Sequence, residues 1–487
     1  MLIINIYNTK CIITGSIPRS IFIQIDQATS YVHQGHQFVS QKFGDSKGGW
    51  DGIVRLFKNN TFPVGMLSAV EKIFKRNSIE YKIEDLRRKI SYGEPIGIDS
   101  NSFFKPRHYQ KSALDAAIKN GSGIIKIATG GGKTGVISML TAHYNIKTVI
   151  YVIGIELLYQ MKSTIEALYP DIEVGIVGDG ICDIKQINIV TVWSAAAAFG
   201  KKVDVFDNDC SKEVSSQSDS NKQKIKKMVR ESELFILDEC QYAAANTVQF
   251  LHRESVCARH RFLFSASPWR DSGDDILIES VGGPKIYDLK ASALIREGFL
   301  VQPDIHFLSV PIKRNLPRNY QQVYKEYIVD NPERNEMIKK AAMQLVKSGK
   351  KVLILVVRVN HGESLKKVMK DDCRVGYLDG QKSTKERMQT IADMKNGDID
   401  IIIASKIFDQ GVDIPELDAL ILAGSGKSTG RALQRIGRVI RKRDGKTKAI
   451  VVDFMDNAKF LRDHSEVRMS VYKTEPEFKI KVHPLKK

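Results

Sequence analysis

Residues 123–144 read GIIKIATGGGKTGVISMLTAHY, and the fold turns on them. GIIKIA has the short, β-branched character of a buried strand, and VISMLTAHY has the apolar content of a helix. A strand that turns through small residues into a helix leaves backbone N–H groups converging on one spot, where the helix N-terminus adds positive partial charge. Thr129, Gly130, Gly131 and Gly132 can therefore close around phosphate oxygens. Lys133 can reach β- and γ-phosphates, and the Thr134 hydroxyl can ligate Mg2+. The strict G-x-x-x-x-G-K-T spacing asks for glycine at 127, where this chain has Ile127.

The alternation continues outward. TVIYVIG (148–154), INIVTV (187–192), LFILDE (234–239) and FLFSAS (262–267) predict strands, several separated by amphipathic stretches of helix length. KVLILVV (351–357), VGYLDG (375–380), IDIIIAS (399–405), LDALILAG (417–424) and KAIVVDF (448–454) repeat the pattern. The simplest reading is α/β, with two parallel-sheet domains in tandem. Before them, IFIQI (21–25) and IVRLF (53–57) read as strands and 66–76 as a helix, giving a small N-terminal α+β domain. The expected boundaries are 1–98, 99–290 and 291–456, with 457–487 as a basic tail. Residues 207–230, polar and rich in serine and lysine, read as an insertion leading into a solvated helix.

The chain has 487 residues, with 74 Lys+Arg against 56 Asp+Glu and a formal charge of +18. A hydrophobic content of 43% excludes a largely disordered chain. No apolar run of about 18 residues is present, so no membrane span is expected. MLIINIYNTK lacks the pattern of a secretory signal. Six cysteines with no C-x-x-C pair argue against a zinc ribbon or disulfide framework and for the reducing cytoplasm. The charge is uneven: +4 over 1–100, zero over 101–279 and +14 over 280–487. That excess suits a polyanionic partner or simply a well-solvated surface.

Two further segments carry chemistry. In FILDECQ a strand ends in Asp238 and Glu239, where the first carboxylate can hold Mg2+ and the second can orient or deprotonate an attacking water. In QRIGRVIR (434–441), helical spacing would put Gln434, Arg438 and Arg441 on one face, either as a solvated basic helix or as cations for a transferring phosphate.

The ordered set RHYQ (107–110), ATGGGKT (128–134), TVWSA (191–195), DECQ (238–241), SASP (265–268), LDGQKSTKER (378–387), ASKIFDQGVDIP (404–415) and QRIGRVIR resembles the superfamily 2 helicases. The resemblance implies two RecA-like domains that bind ATP and Mg2+ and act on DNA. By position it implies that Gln110 reads adenine with Tyr109 or Arg107 in support. It also implies that Lys133 and Thr134 serve phosphate and Mg2+, that Asp238 is the metal-water ligand and that Glu239 is the base. Gly411 and Asp413 would sense nucleotide, Gln434 would lie near the γ-phosphate, and Arg438 and Arg441 would be paired arginine fingers. Thr191, Ser405 and Lys406 would face a nucleic-acid strand, and Ser265 and Ser267 flank the segment that links hydrolysis to DNA contact in the family. Gln241 replaces a common histidine, and S-A-S replaces S-A-T.

Residues 41–74, QKFGDSKGGWDGIVRLFKNNTFPVGMLSAVEKIF, resemble the N-terminal domain of phage UvsW-type branch-migration helicases. Trp50 would stack on or wedge at a base, or anchor the small core, while Lys47, Arg55 and Lys58 would reach phosphates. The expectation is an ATP-dependent DNA helicase, monomeric and cytoplasmic, acting on branched or forked DNA without sequence preference.

Overall fold

Apolar runs buried on both faces dictate the architecture. The computed structural model describes residues 1–33, 51–99, 104–201, 218–269, 273–311, 319–405, 414, 416–424, 426 and 429–484. The chain forms two units, 1–127 with 132–288, and 128–131 with 289–487.

The first unit opens with a four-stranded sheet in the order Thr61–Pro63, Lys10–Thr14, Leu2–Ile6, Tyr81–Asp85. Helices Arg19–Ala28 and Leu67–Arg76 cover a core that includes Ile4, Ile13, Ile25, Phe62, Val70 and Phe74. The predicted strand at 21–25 is helical instead. Ile21 and Ile25 are buried while Ile23 is 45% exposed, so the apolar period is four residues and not two.

Beside this sheet lies an eight-stranded one in the order Ile181–Asp183, Val174–Gly178, Ile187–Thr191, Thr148–Val152, Leu234–Asp238, His260–Ser265, Ser122–Ile127, Lys285–Leu289. Its central pairings are parallel, and every residue of Thr148–Val152, Ile187–Thr191 and Leu234–Asp238 is buried. Such strands need helices on both faces, and each fully buried Leu, Ile or Phe contributes roughly 1.5–3 kcal/mol.

The two sheets of this unit are locked together. Arg261 is buried beneath the N-terminal sheet and donates to Asn8 O at 3.1 Å and Ser255 O at 2.8 Å. The Asn8 amide donates to Val256 O at 2.9 Å, and Arg259 pairs with Asp85 at 2.9 Å. The helix expected within 207–230 spans Asp219–Glu231, and the polar stretch before it lies outside the described residues.

The second unit has a seven-stranded sheet in the order Val375–Leu378, Ile401–Ala404, Val352–Leu355, Ala419–Leu422, Lys448–Asp456, Gln302–Val310, Lys479–His483, parallel throughout. Residues 457–487 were expected as a basic tail, yet they supply the helix Leu461–Tyr472 and this edge strand. Leu461, Ser465, Arg468 and Tyr472 recur at helical spacing and are buried, which docks the helix.

Candidate active site

In an open parallel sheet, the loops that leave the carboxyl ends of the strands build the site. At the end of Ser122–Ile127 the chain turns, with Gly131 N–H donating to Ala128 O at 2.9 Å, and the helix Lys133–Tyr144 begins. Gly130 and Gly132 have φ of +83° and +77°, a region that side chains rarely adopt. Ile127, at the position where a glycine was wanted, is the buried last residue of the strand, so the loop proper starts at Ala128. Lys133 and Thr134 stand half-buried in the first turn of the helix.

Gln110 sits against this loop. Its Oε1 accepts the Arg107 N–H at 2.9 Å, and its Nε2 donates to Gly132 O at 3.1 Å. A Cβ on Gly132 would run into that Nε2. Arg107 donates to the Tyr109 hydroxyl at 2.6 Å, and Tyr109 itself is buried. The three residues expected at the base thus form one assembly tied to the phosphate loop.

The acidic pair ends the strand Leu234–Asp238. Glu239 adopts φ of +58°, which turns the chain sharply beyond the buried Asp238. Burial first, and then the Glu239 carboxylate, push Asp238 up to about 6, while the nearby Lys133 ammonium pulls it down. Gln241 Nε2 donates to Glu239 Oε2 at 2.9 Å. The Ser265 hydroxyl donates to Gln241 Oε1 at 2.8 Å and lies 3.5 Å from Glu239 Oε2, and Ser267 N–H donates back to Ser265 Oγ at 3.0 Å. Glu239, Gln241, Ser265 and Ser267 are therefore one hydrogen-bonded chain, which fixes the carboxylate. Among the described residues no group of three His, Cys, Asp or Glu side chains could hold a metal. One buried carboxylate within reach of the Lys133 charge, with the Thr134 hydroxyl next in sequence, instead fits Mg2+, which keeps waters and nucleotide oxygens as its other ligands.

In the second unit, the helix Thr429–Val439 carries Gln434 and Arg438, both half-buried, and the buried Arg435. Arg441 does not share that helical face. The helix stops at Val439, where the Ile440 carbonyl accepts Val301 N–H at 2.8 Å and Arg441 bridges to Leu300 in antiparallel fashion. Gly411, Asp413, Lys406 and Trp50 lie outside the described residues.

The described residues expected on DNA are engaged within the protein. Thr191 is 1% exposed and caps the helix Val192–Ala198, accepting from Ser194 N–H. Ser405 is buried, its N–H bonded to Leu378 O at 3.0 Å. Arg55 pairs with Asp26 at 3.1 Å and Asp51 at 2.6 Å. Direct contact through the Thr191 or Ser405 side chain is not available in this conformation, because both are packed. Sequence reading also passed over Arg334, Arg468, Asp453 and Asp456 of the second unit. Two acids on the otherwise apolar strand KAIVVDFMD (448–456) were the signal, since buried carboxylates demand partners.

Residues 103–270 match the family described as type III restriction enzyme, res subunit, and residues 333–443 match the helicase conserved C-terminal domain. The chain is an ATP-dependent helicase that resembles the superfamily 2 helicases over both matched segments. Within that class it resembles the ATP-dependent DNA helicase uvsW of Enterobacteria phage T4, with 26% identity over 465 residues, 90% of this chain and 88% of that one. It is also 27% identical over 406 residues to putative helicase 22 of Sulfolobus islandicus filamentous virus, covering 78% of this chain and 69% of the relative. In fold it is like the ATP-dependent type ISP restriction-modification enzyme LlaBIII bound to DNA (TM-score 0.55, 16% identity, 84% of this chain and 34% of that one). Among the described residues no helix is long and apolar enough to cross a membrane.

Proposed function

We propose that this helicase is a DNA translocase acting on branched DNA, driving fork regression and Holliday-junction branch migration in recombination and repair. Support for the branched substrate comes from the likeness to uvsW, which runs over 90% of the chain and so extends well beyond the motor motifs. The hydrolytic part rests on one observation, the Glu239 carboxylate held by Gln241 and Ser265 next to Asp238 and the phosphate loop.

In this reading the loop N–H groups and Lys133 bind the phosphates, and Gln110 with Tyr109 and Arg107 orients the base. Thr134 and Asp238 would hold Mg2+, which neutralises charge on the phosphates when bound. Glu239 takes the proton from the attacking water, and its hydrogen-bonded chain keeps it aimed. The resemblance to the helicases assigns Gln434, Arg438 and Arg441 of the second unit to charge on the transferring phosphoryl group. The DNA face comprises Trp50, Lys406, Arg55 and the segments around Thr191 and Ser405, gripping phosphates without reading sequence.

The res-subunit match favours one rival, the motor of a restriction system. ATP hydrolysis and strand displacement measured on four-way junctions, forks, linear duplex and RNA separate the two readings. Junctions and forks are expected to be the best substrates, with activity lost in Lys133→Ala. Equal activity on linear duplex and junctions refutes the branched-DNA reading. RNA as the best substrate makes the protein an RNA remodeller. DNA binding without DNA-stimulated hydrolysis makes it a clamp.

A further inference from the structure

The strand Ala419–Leu422 leaves the second sheet through Ala423, Gly424 and Gly426, and a few residues later the helix bearing Gln434 and Arg438 begins. That exit is held by two buried arginines. Arg334, 0% exposed, donates Nε and Nη2 to the two carboxylate oxygens of Asp456 at 2.8 and 3.3 Å. Its remaining Nη1 donates to Ala423 O at 2.6 Å. Arg468, 3% exposed, repeats the arrangement from another helix. Nε and Nη2 grip Asp453 at 2.9 and 2.8 Å, and Nη1 donates to Gly426 O at 3.1 Å.

Both carboxylates lie on the strand Lys448–Asp456, and both are buried. Between the two gripped carbonyls, Gly424 packs so closely that a Cβ would sit 2.5 Å from the Val357 nitrogen. Gly424 N–H also donates to Leu355 O at 2.9 Å. Burial alone would lower the Arg468 pKa, yet the Asp453 charge and hydrogen bonds leave it raised, so the guanidinium stays cationic. A bidentate pair fixes the plane of each guanidinium and therefore the direction of its third donor. Stability alone does not ask for this arrangement, because apolar residues of similar volume commonly do as well as a buried ion pair.

We propose that Arg334 and Arg468 are positioning residues for phosphoryl transfer: they clamp the carbonyls of Ala423 and Gly426 and so set where the helix Thr429–Val439 starts and which way it presents Arg438. This rests on the reading of Arg438 as a phosphate-contacting arginine. A shift of about 1 Å in such a group costs on the order of 100-fold in rate, so a clamp on the preceding loop matters for turnover more than for binding.

The test uses the full chain and DNA-stimulated ATP hydrolysis, with kcat and KM measured separately. Arg468→Lys keeps a cation beside Asp453 but cannot also reach Gly426 O. Its expected kcat falls about 10- to 100-fold, with KM for ATP within about twofold. Arg438→Ala should lose more, and Arg438→Ala with Arg468→Lys should lose no more than Arg438→Ala alone, because the clamp acts through the arginine. Tyr472→Phe removes a hydrogen bond to Asp453 at 3.0 Å in the same network without touching the loop, and its kcat should stay normal.

Arg334→Lys repeats the test at Ala423 O, so poor folding of one lysine variant leaves the other to decide. Normal kcat in both lysine variants alongside collapse in Arg438→Ala overturns the clamp and leaves the arginine reading intact. Normal kcat in Arg438→Ala overturns both. Multiplied losses in the double variant, or an equal loss in Tyr472→Phe, reduce Arg468 to a structural part.

Discussion

Replacing Glu239 with glutamine removes the charge beside the buried Asp238, and the structure gives that change two opposite consequences. Burial first, and the Glu239 carboxylate second, raise Asp238 from its ordinary 3.8 to about 6. Such a displacement costs the ionised form about 3 kcal/mol in the folded chain. Burial and Glu239 both raise the Asp238 pKa against the pull of Lys133, and removing a like charge nearby relieves on the order of 1 kcal/mol. At pH 7 Asp238 is ionised whether folded or unfolded, and the whole cost is present. As pH falls through 6 towards about 4, the folded chain takes up the proton first and the cost disappears. Without nucleotide, Glu239→Gln should therefore unfold at a higher temperature than the parent at pH 7, by roughly 2–5 °C. That gain should shrink as pH drops towards 5. In the same variant, loss of the base should cut DNA-stimulated ATP turnover by about 100- to 10,000-fold. Melting curves across this pH range and steady-state hydrolysis read both effects. Turnover within about threefold of the parent would falsify the assignment of Glu239 as base. A lower or pH-independent melting difference would remove the charge argument.

Gly132→Ala forces φ of +77° on a residue with a Cβ and drives that Cβ into Gln110, at a cost of about 1–3 kcal/mol. The expected result is weaker ATP binding by calorimetry while the DNA affinity is kept. Ser265→Ala removes the 2.8 Å donor to Gln241 Oε1 and loosens the chain that aims the Glu239 carboxylate, so kcat should drop about tenfold with KM little changed. Arg261→Met strands the carbonyls of Asn8 and Ser255, and denaturant titration should show a loss of about 2–5 kcal/mol from the first unit.

The motor's chemistry was legible because its parts are local. Apolar runs end in chemically odd residues, as in ATGGGKT and DECQ, and a parallel sheet puts those ends on one edge. Partnerships between distant segments were not legible. Arg334 and Asp456 are 122 positions apart, and although the acid stands out on its apolar strand, nothing near it in sequence points to the partner. The edge strand Lys479–His483 alternates basic and apolar residues and so reads as a solvated tail until Gln302–Val310 is there to pair with it. IFIQI fits a period of two as well as one of four, and only the exposure of Ile23 decides. Thr191 carries a helix-cap residue type as plainly as a DNA-facing one, and packing chose the cap.

Among the described residues the strand Gln302–Val310 pairs only with Lys448–Asp456 and Lys479–His483. It emerges from the ribosome well over a hundred residues before either neighbour. Until then its backbone donors and apolar face have no native strand to meet, and loop-closure entropy delays the pairing further. The second lobe should thus acquire its sheet late, and the waiting strand is where a nascent chain would aggregate or call on a chaperone.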